Sequence, residues 1–306
     1  MESNAIPTDE YLLLTGRPPI ADFVRFMKRK SIGGETADDV RLAREWADAN
    51  GRVRDVERSE AGFADTAEPP GLDARIERYA NEELARSTEK SSLAFLPHRW
   101  ALVELDRLIV YQKFINLNFA EQILRSLPNH PSEQELIQTA LGNMHRPPPI
   151  QMTQLDGNSF SFVSSSNDLR VLSVAPVDAK DIPEHRARHG TSRMLGVFVG
   201  YSSNVLKAVR IANRTVLTNG SHRAYALRKL GLTHVPCVVQ MARPDQLELL
   251  GWSEMSQHVD QYLTAPRPSL FKDYFDERLY RIVPVHRRGQ LIQVEVTIRE
   301  SAVPCF

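Results

Sequence analysis

Asn219, Gly220, Ser221, His222 and Arg223 place a turn-forming pair, a hydroxyl, an imidazole and a permanently charged guanidinium in five consecutive positions. At the opening of a helix, residues of these types suit an anion. Backbone N–H groups around Ser221 and His222 would donate to phosphate oxygens, and Arg223 would add a two-pronged cationic donor. The same donors would stabilise charge developing during phosphoryl transfer. Ser221 is a candidate nucleophile or phosphate ligand, but serine is so common a helix cap that the structural reading wins. A nucleophilic hydroxyl needs an activating base, and neighbouring helical residues point in different directions, so His222 does not form a dyad with it. Glu121 is the base we would test; its alternative role is that of a carboxylate favoured by a helix N-terminus. Lys113, with Gln112, Asn116 and Asn118, lies in the polar stretch QKFINLN. That stretch suits either ligand contact or a plain asparagine-rich turn.

These residues need a strand, a tight turn, a helix and a second strand to hold them. Thr215, Val216 and Leu217 favour an extended chain, and Asn219-Gly220 allows a sharp turn through positive φ. Asn-Gly is also a hairpin signal. However, SHRAYALRKLG does not alternate as a second hairpin strand should, whereas Ala224, Leu227 and Leu230 form a helical stripe. Ser221 is expected as N-cap, Arg228 and Lys229 suit the C-terminal dipole, Gly231 suits the C′ position, and 235–240 reads as the following strand.

The segment resembles the phosphate-binding motif of the ParB/sulfiredoxin superfamily, which carries a glycine, a variable residue, a basic residue or histidine, and an arginine at such a turn. Here the match is Gly220, Ser221, His222 and Arg223. Residues 206–220 are similar to the hairpin that leads into the motif, with Ala212-Asn213 near its turn. Residues 100–127, WALVELDRLIVYQKFINLNFAEQILRSL, are similar to the opening strand, loop and first helix. The variable position divides the family by chemistry. Sulfiredoxins carry a cysteine there, and ParB clamps a glutamate followed by two arginines that bind CTP. Ser221-His222 matches neither. The resemblance therefore implies an ATP-, ADP- or CTP-handling member outside both branches, an NTP hydrolase or phosphotransferase that uses nucleotide-bound Mg2+. The alternatives it implies are a non-catalytic DNA- or protein-binding regulatory module and a ParB-like nuclease.

Thirty-eight basic residues balance 38 acidic ones, so the whole chain lacks the footprint of a protein that grips nucleic acid over a wide surface. Residues 1–90 hold 14 Lys and Arg against 19 Asp and Glu, and the remainder holds 24 against 19. A modest basic face on the later part suits contact with DNA or RNA, but a solvated, mixed-charge surface is the favoured explanation. The chain has no apolar run of the about 18 residues that crosses a bilayer and no basic, then apolar leader, so cytoplasmic residence without membrane partners is the expectation. Cys237 and Cys305 form neither a disulfide framework nor a metal-ligand pattern, and Cys237 reads as packing. His185 and His189 have the i, i+4 spacing of a shared metal, or of an exposed charged helix, and no third ligand accompanies them. Any metal expected here is magnesium carried by nucleotide.

The organisation expected is α+β. It has a ParB/sulfiredoxin-like mixed sheet with flanking helices, a helical N-terminal region at 1–91 and a C-terminal β-hairpin. The N-terminal helices are placed at 20–30, 36–50 and 73–90, with a linker near 59–73. In the second, Val40, Leu42, Ala43, Trp46 and Ala47 form the core-facing stripe. This region is the candidate for contact with a protein partner or DNA, and Lys28-Arg29-Lys30 suits an anionic partner or a helix C-terminus. The core spans 92–250 with an insertion near 143–190. Helices are expected at 119–126, 132–141 and 243–250, and strands at 171–175, 195–199, 206–211 and 235–240. The extension 251–306 carries the hairpin at 279–298, where Ile292, Val294, Val296 and Ile298 alternate with polar residues.

Overall fold

The computed structural model describes residues 6–87, 93, 95–143, 148–166, 168–178, 194–201, 204–246 and 259–300. Its elements in chain order are β1 (Thr8–Leu14), α1 (Ile20–Lys30), α2 (Asp39–Ser59), α3 (Ala74–Arg86), β2 (His98–Glu104), β3 (Ile109–Val110), β4 (Phe114–Asn116), α4 (Leu117–Ser126) and α5 (Glu133–Ala140). They continue with β5 (Gln151–Gln154), β6 (Ser159–Ser164), β7 (Leu169–Pro176), β8 (Leu195–Tyr201), β9 (Lys207–Ile211), β10 (Arg214–Asn219), α6 (Ser221–Lys229), β11 (His234–Ala242), β12 (Tyr280–His286) and β13 (Gln290–Glu295). The fold is α+β.

The chain divides into two compact units, Met1–His145 with Asn204–Arg287, and Arg146–Ser203 with Arg288–Phe306. In the first, a five-stranded mixed sheet runs β2-β11-β9-β10-β3. β9 and β10 form a tight hairpin through Ala212-Asn213, while β11 lies parallel to β9 and β3 parallel to β10. β9 and β11 bury Ala208, Val209, Val235, Cys237, Val238 and Val239 on both faces, as a central pair of strands requires. A second sheet, β12-β1-β4, stands beside it in the same unit. In β1, Leu12 and Leu14 enter the main core, whereas Leu13 packs with Phe23, Met27, Leu42, Val283 and Val285. Each fully buried leucine contributes about 1.5–3 kcal/mol, so a strand apolar on both faces holds the N-terminus firmly.

α5 carries a complete capping box, in which Ser132 and Glu135 satisfy each other's backbone N–H groups. α3 opens on Asp73, whose carboxylate accepts from the Arg75 N–H at 3.0 Å.

The second unit has one three-stranded sheet, β13-β6-β5, and a β7-β8 ribbon. It contains most of the span where an insertion is expected, and its sheet is completed by β13 from much later in the chain.

Several sequence expectations need correction. α2 does not stop before Gly51 but runs to Ser59, because Ala49, Val53 and Val56 continue its buried stripe. Those burials outweigh the about 1 kcal/mol that an interior glycine costs a helix. Its buried residues are Leu42, Ala49, Val53 and Val56, with the expected Trp46 half-buried against the Phe23 and Leu42 cluster; Val40 is 57% exposed and Ala47 is also exposed. The segment near 59–73 carries no helix or strand after its first residue, yet it is tied down. The Thr66 N–H donates to the Asn213 carbonyl at 2.8 Å, Leu102 N–H to Pro70 O at 2.8 Å, and Arg214 meets Asp65 at 2.7 Å. The C-terminal hairpin does not form. β12 pairs with β1 over seven residues and β13 pairs with β6 over six. Of the expected helix at 243–250, the described part is a single turn, Pro244–Gln246. His185, His189 and Cys305 lie outside the described residues.

Candidate functional site

Parallel pairing of β3 and β10, Ile109 opposite Val216 and Val110 opposite Leu217, brings the carboxyl ends of both strands to one edge of the sheet. Ligands of open α/β sheets gather outside such ends. From β10 the chain turns through Gly220 into α6, and from β3 it enters the Tyr111-Gln112-Lys113 loop.

Gly220 has φ +90°, and a Cβ there would lie 2.6 Å from Leu206 Cδ1 and 3.1 Å from Leu206 Cα, so only glycine fits. The Gly220 N–H donates to Asn219 Oδ1 at 2.8 Å. Gly220, not Ser221, is the N-cap, and it has no side chain with which to satisfy the first-turn N–H groups. Ser221 is the first helical residue and is buried. At the far end Gly231, φ +94°, ends the helix as expected, with its N–H on Arg228 O at 3.0 Å and Leu232 N–H on Leu227 O at 3.1 Å.

Both basic side chains of the turn point inward. Arg223 is buried and its Nη1 donates to Ala140 O at 2.9 Å and to Thr139 O at 3.2 Å, placing a cation on the carboxyl end of α5. His222 Nε2 accepts the Asn116 N–H at 2.9 Å, and its ring meets Phe119 edge-on, with centroids 5.3 Å apart. Burial, with the Arg223 charge adding to it, lowers its pKa to about 4, so the imidazole is neutral at pH 7. Asn116 in turn caps α4, its Oδ1 accepting the Phe119 N–H at 3.1 Å. The histidine thus fixes the start of α4.

Glu121 lies 3.5 Å from Arg125 and 3.6 Å from Lys229. Lys229 closes α6, eight residues after Ser221, or about 12 Å along the axis at the usual helical rise. Glu121 is therefore not brought to Ser221. Cys237 is packing, as expected: burial pushes its thiol up to about 12, and Sγ donates to Leu206 O at 3.4 Å.

Lys113 stands instead on a cleft of about 400 Å3 beside the turn. Its walls come from the loop after β1, from α2, from the Tyr111–Lys113 loop and from 261–269. Tyr111 joins cleft and turn, for its hydroxyl donates to Thr218 O at 3.0 Å. The Tyr274 hydroxyl donates to Gln112 O and holds the same loop from below. Lys113 Nζ is 3.9 Å from Asp22 Oδ2 across the cleft.

Sequence reasoning missed Arg17, Tyr111 and Tyr262 in this cleft. Gly16 gives the one usable signal: its φ is +77° and a Cβ would sit 2.4 Å from the Ala49 backbone, so the 16–19 loop is pressed onto α2. Among the described residues no group of three or more His, Cys, Asp and Glu is arranged to hold a metal ion. No helix among them is long and apolar enough to cross a membrane.

Comparison of the chain with protein-family models, with curated proteins and with solved structures finds no match.

Proposed function

We propose that this protein binds a nucleotide through its phosphate at the opening turn of α6, as its resemblance to the ParB/sulfiredoxin superfamily implies. The observation that carries this reading is the turn itself. A left-handed Gly220 delivers β10 directly into a nine-residue helix with no side-chain cap. First-turn N–H groups then remain as anion donors, assisted by the helix dipole. Because Arg223 and His222 are engaged elsewhere, the anion is held by backbone, with ATP, ADP and CTP as the candidate ligands and magnesium as their counter-ion. The reading is one of binding rather than turnover, since Ser221, His222 and Glu121 do not converge on one point.

Ser221→Asp tests it. A carboxylate at the first helical position is favoured by the dipole and competes for the same donors. Titration of ATP, ADP, CTP and GTP, each with and without Mg2+, is expected to show one nucleotide binding to the wild type and at least tenfold weaker binding to the variant. No binding of any nucleotide to the folded wild type would remove the reading.

A further inference from the structure

Among the described residues β7 and β8 pair only with each other, so each presents an outer edge of backbone groups without a strand partner. The two edges are not alike. β7 carries the devices that keep an edge from pairing: the charged, exposed Arg170, a register break at Leu172 between Val171 and Ser173, and Pro176, which has no N–H to offer. β8, LGVFVGY, has no charge, no proline and no bulge along its seven residues. An edge of that kind pairs with another strand unless something covers it.

The ribbon is also apolar on both sides. Residues opposite one another share a face, so Val171, Val174, Val197, Val199 and Leu195 lie together, with Val174 56% and Leu195 68% exposed. On the other face Leu172 and Phe198 are exposed and close over the two glycines of β8. A Cβ at Gly200 would lie 2.8 Å from Leu172 Cδ1, and one at Gly196 would lie 3.1 Å from the Phe198 ring. A two-stranded ribbon is marginal in water, and an apolar one left open on both faces marks a contact surface.

The order of residues in β8 selects the occupant. The strand is symmetric about Phe198: Val197 and Val199 flank it, Gly196 and Gly200 follow, and the large Leu195 and Tyr201 stand at the ends. A foreign strand gives no reason for that symmetry, whereas an identical strand laid antiparallel on it does. We propose that β8 is a dimerisation edge, pairing antiparallel with β8 of a second copy of this chain about a two-fold axis at Phe198. Valine then stands opposite valine, glycine opposite glycine and Leu195 opposite Tyr201, the two Phe198 rings having glycines on their diagonals. The result is a four-stranded sheet in the order β7-β8-β8-β7. Because both outer strands are the protected β7, the assembly closes at two copies instead of growing. The surface lies in the second unit and does not depend on nucleotide binding at α6.

Sedimentation velocity of the full chain over a hundredfold range of concentration is expected to show a reversible monomer–dimer equilibrium with no larger species. Phe198→Lys sets like charges against each other at the axis and should weaken the dimer at least tenfold. Arg170→Gln, on the protected edge, and Ser221→Asp should leave it unchanged, so failure of the α6 reading and failure of this one are separate results. Register is read by oxidising Phe198→Cys in a Cys305→Ser background. Directly opposite residues of an antiparallel pair have Cα atoms about 4.5–5.5 Å apart, inside the about 4.4–6.8 Å that a disulfide spans, so a covalent dimer is expected. Leu195→Cys in the same background, six residues out of register with its own copy, should form none. If Phe198→Lys does not fold, hydrogen exchange of the wild type decides: amides of β8 should slow as concentration rises, and those of β5 should not. The proposal is overturned by a wild type that stays monomeric, by open-ended polymers, or by a dimer that folded Phe198→Lys leaves intact. It is equally overturned if Leu195→Cys cross-links as readily as Phe198→Cys, or if exchange in β8 is independent of concentration.

Discussion

At the scale of single residues, the identities in the Gly220–Arg223 turn are chemically suggestive, but their directions are set by neighbours far away in sequence. Arg223 is turned onto the carboxyl end of α5 and His222 onto the Asn116 N–H, and no local pattern announces either partner. The histidine makes a prediction in its own right. Its pKa is lowered from 6.5 to about 4, chiefly by burial, so between those values the unfolded chain binds the extra proton and the folded chain does not. Stability therefore rises with pH through this window, by up to about 1.4 kcal/mol per pH unit for one proton, and falls as the solution is acidified. His222→Gln retains an acceptor for Asn116 but does not titrate. Urea unfolding at pH 6.5, 5.5 and 4.5 should show wild-type stability falling more steeply than that of the variant, and equal slopes would mean that His222 is not held neutral.

At the scale of elements, most of the core was legible because each signal was local. The glycines at 220 and 231 and the apolar runs of β9 and β11 mark their own positions. β1 was missed although TDEYLLL is apolar enough, since a strand buried on both faces shows no alternation. The pairing of β12 and β13 was misjudged for a related reason. Adjacency in sequence suggests a hairpin, but the Arg287 N–H donates to Pro7 O at 2.7 Å and its guanidinium meets Asp9 at 2.7 Å, which ends β12 on β1. The β9-β10 turn holds the element-level prediction. Ala212 adopts φ +53° between Ile211 and Arg214, a conformation that costs an L-residue about 1–2 kcal/mol. Ala212→Gly relieves the steric part and loosens the unfolded chain, so a net stabilisation of about 0.5–1 kcal/mol is expected. Denaturant unfolding with an unchanged slope would measure it, and a destabilised variant would show that the strain lies elsewhere.

At the scale of the whole molecule, the chain's ends close structures that begin elsewhere. β1 and β12 complete a sheet in the first unit, and β13 crosses over in sequence to complete the sheet of the second. The second unit therefore depends on residues 288–306 in a way the first does not. β6 is flanked by β5 on one side and β13 on the other, with Ile292 opposite Phe162 and Val294 opposite Phe160. Without β13 the sheet is reduced to the two strands β5 and β6, and an isolated two-stranded hairpin is marginal in water. Truncation after Arg287 should accordingly expose the amides of β5 and β6 to rapid hydrogen exchange and open 146–203 to proteolysis. Exchange in β9, β10 and β11, all in the first unit, should stay as slow as in the full chain. If β9–β11 also lose protection, the two units unfold as one. If β5 and β6 keep theirs, the β13 pairing is dispensable.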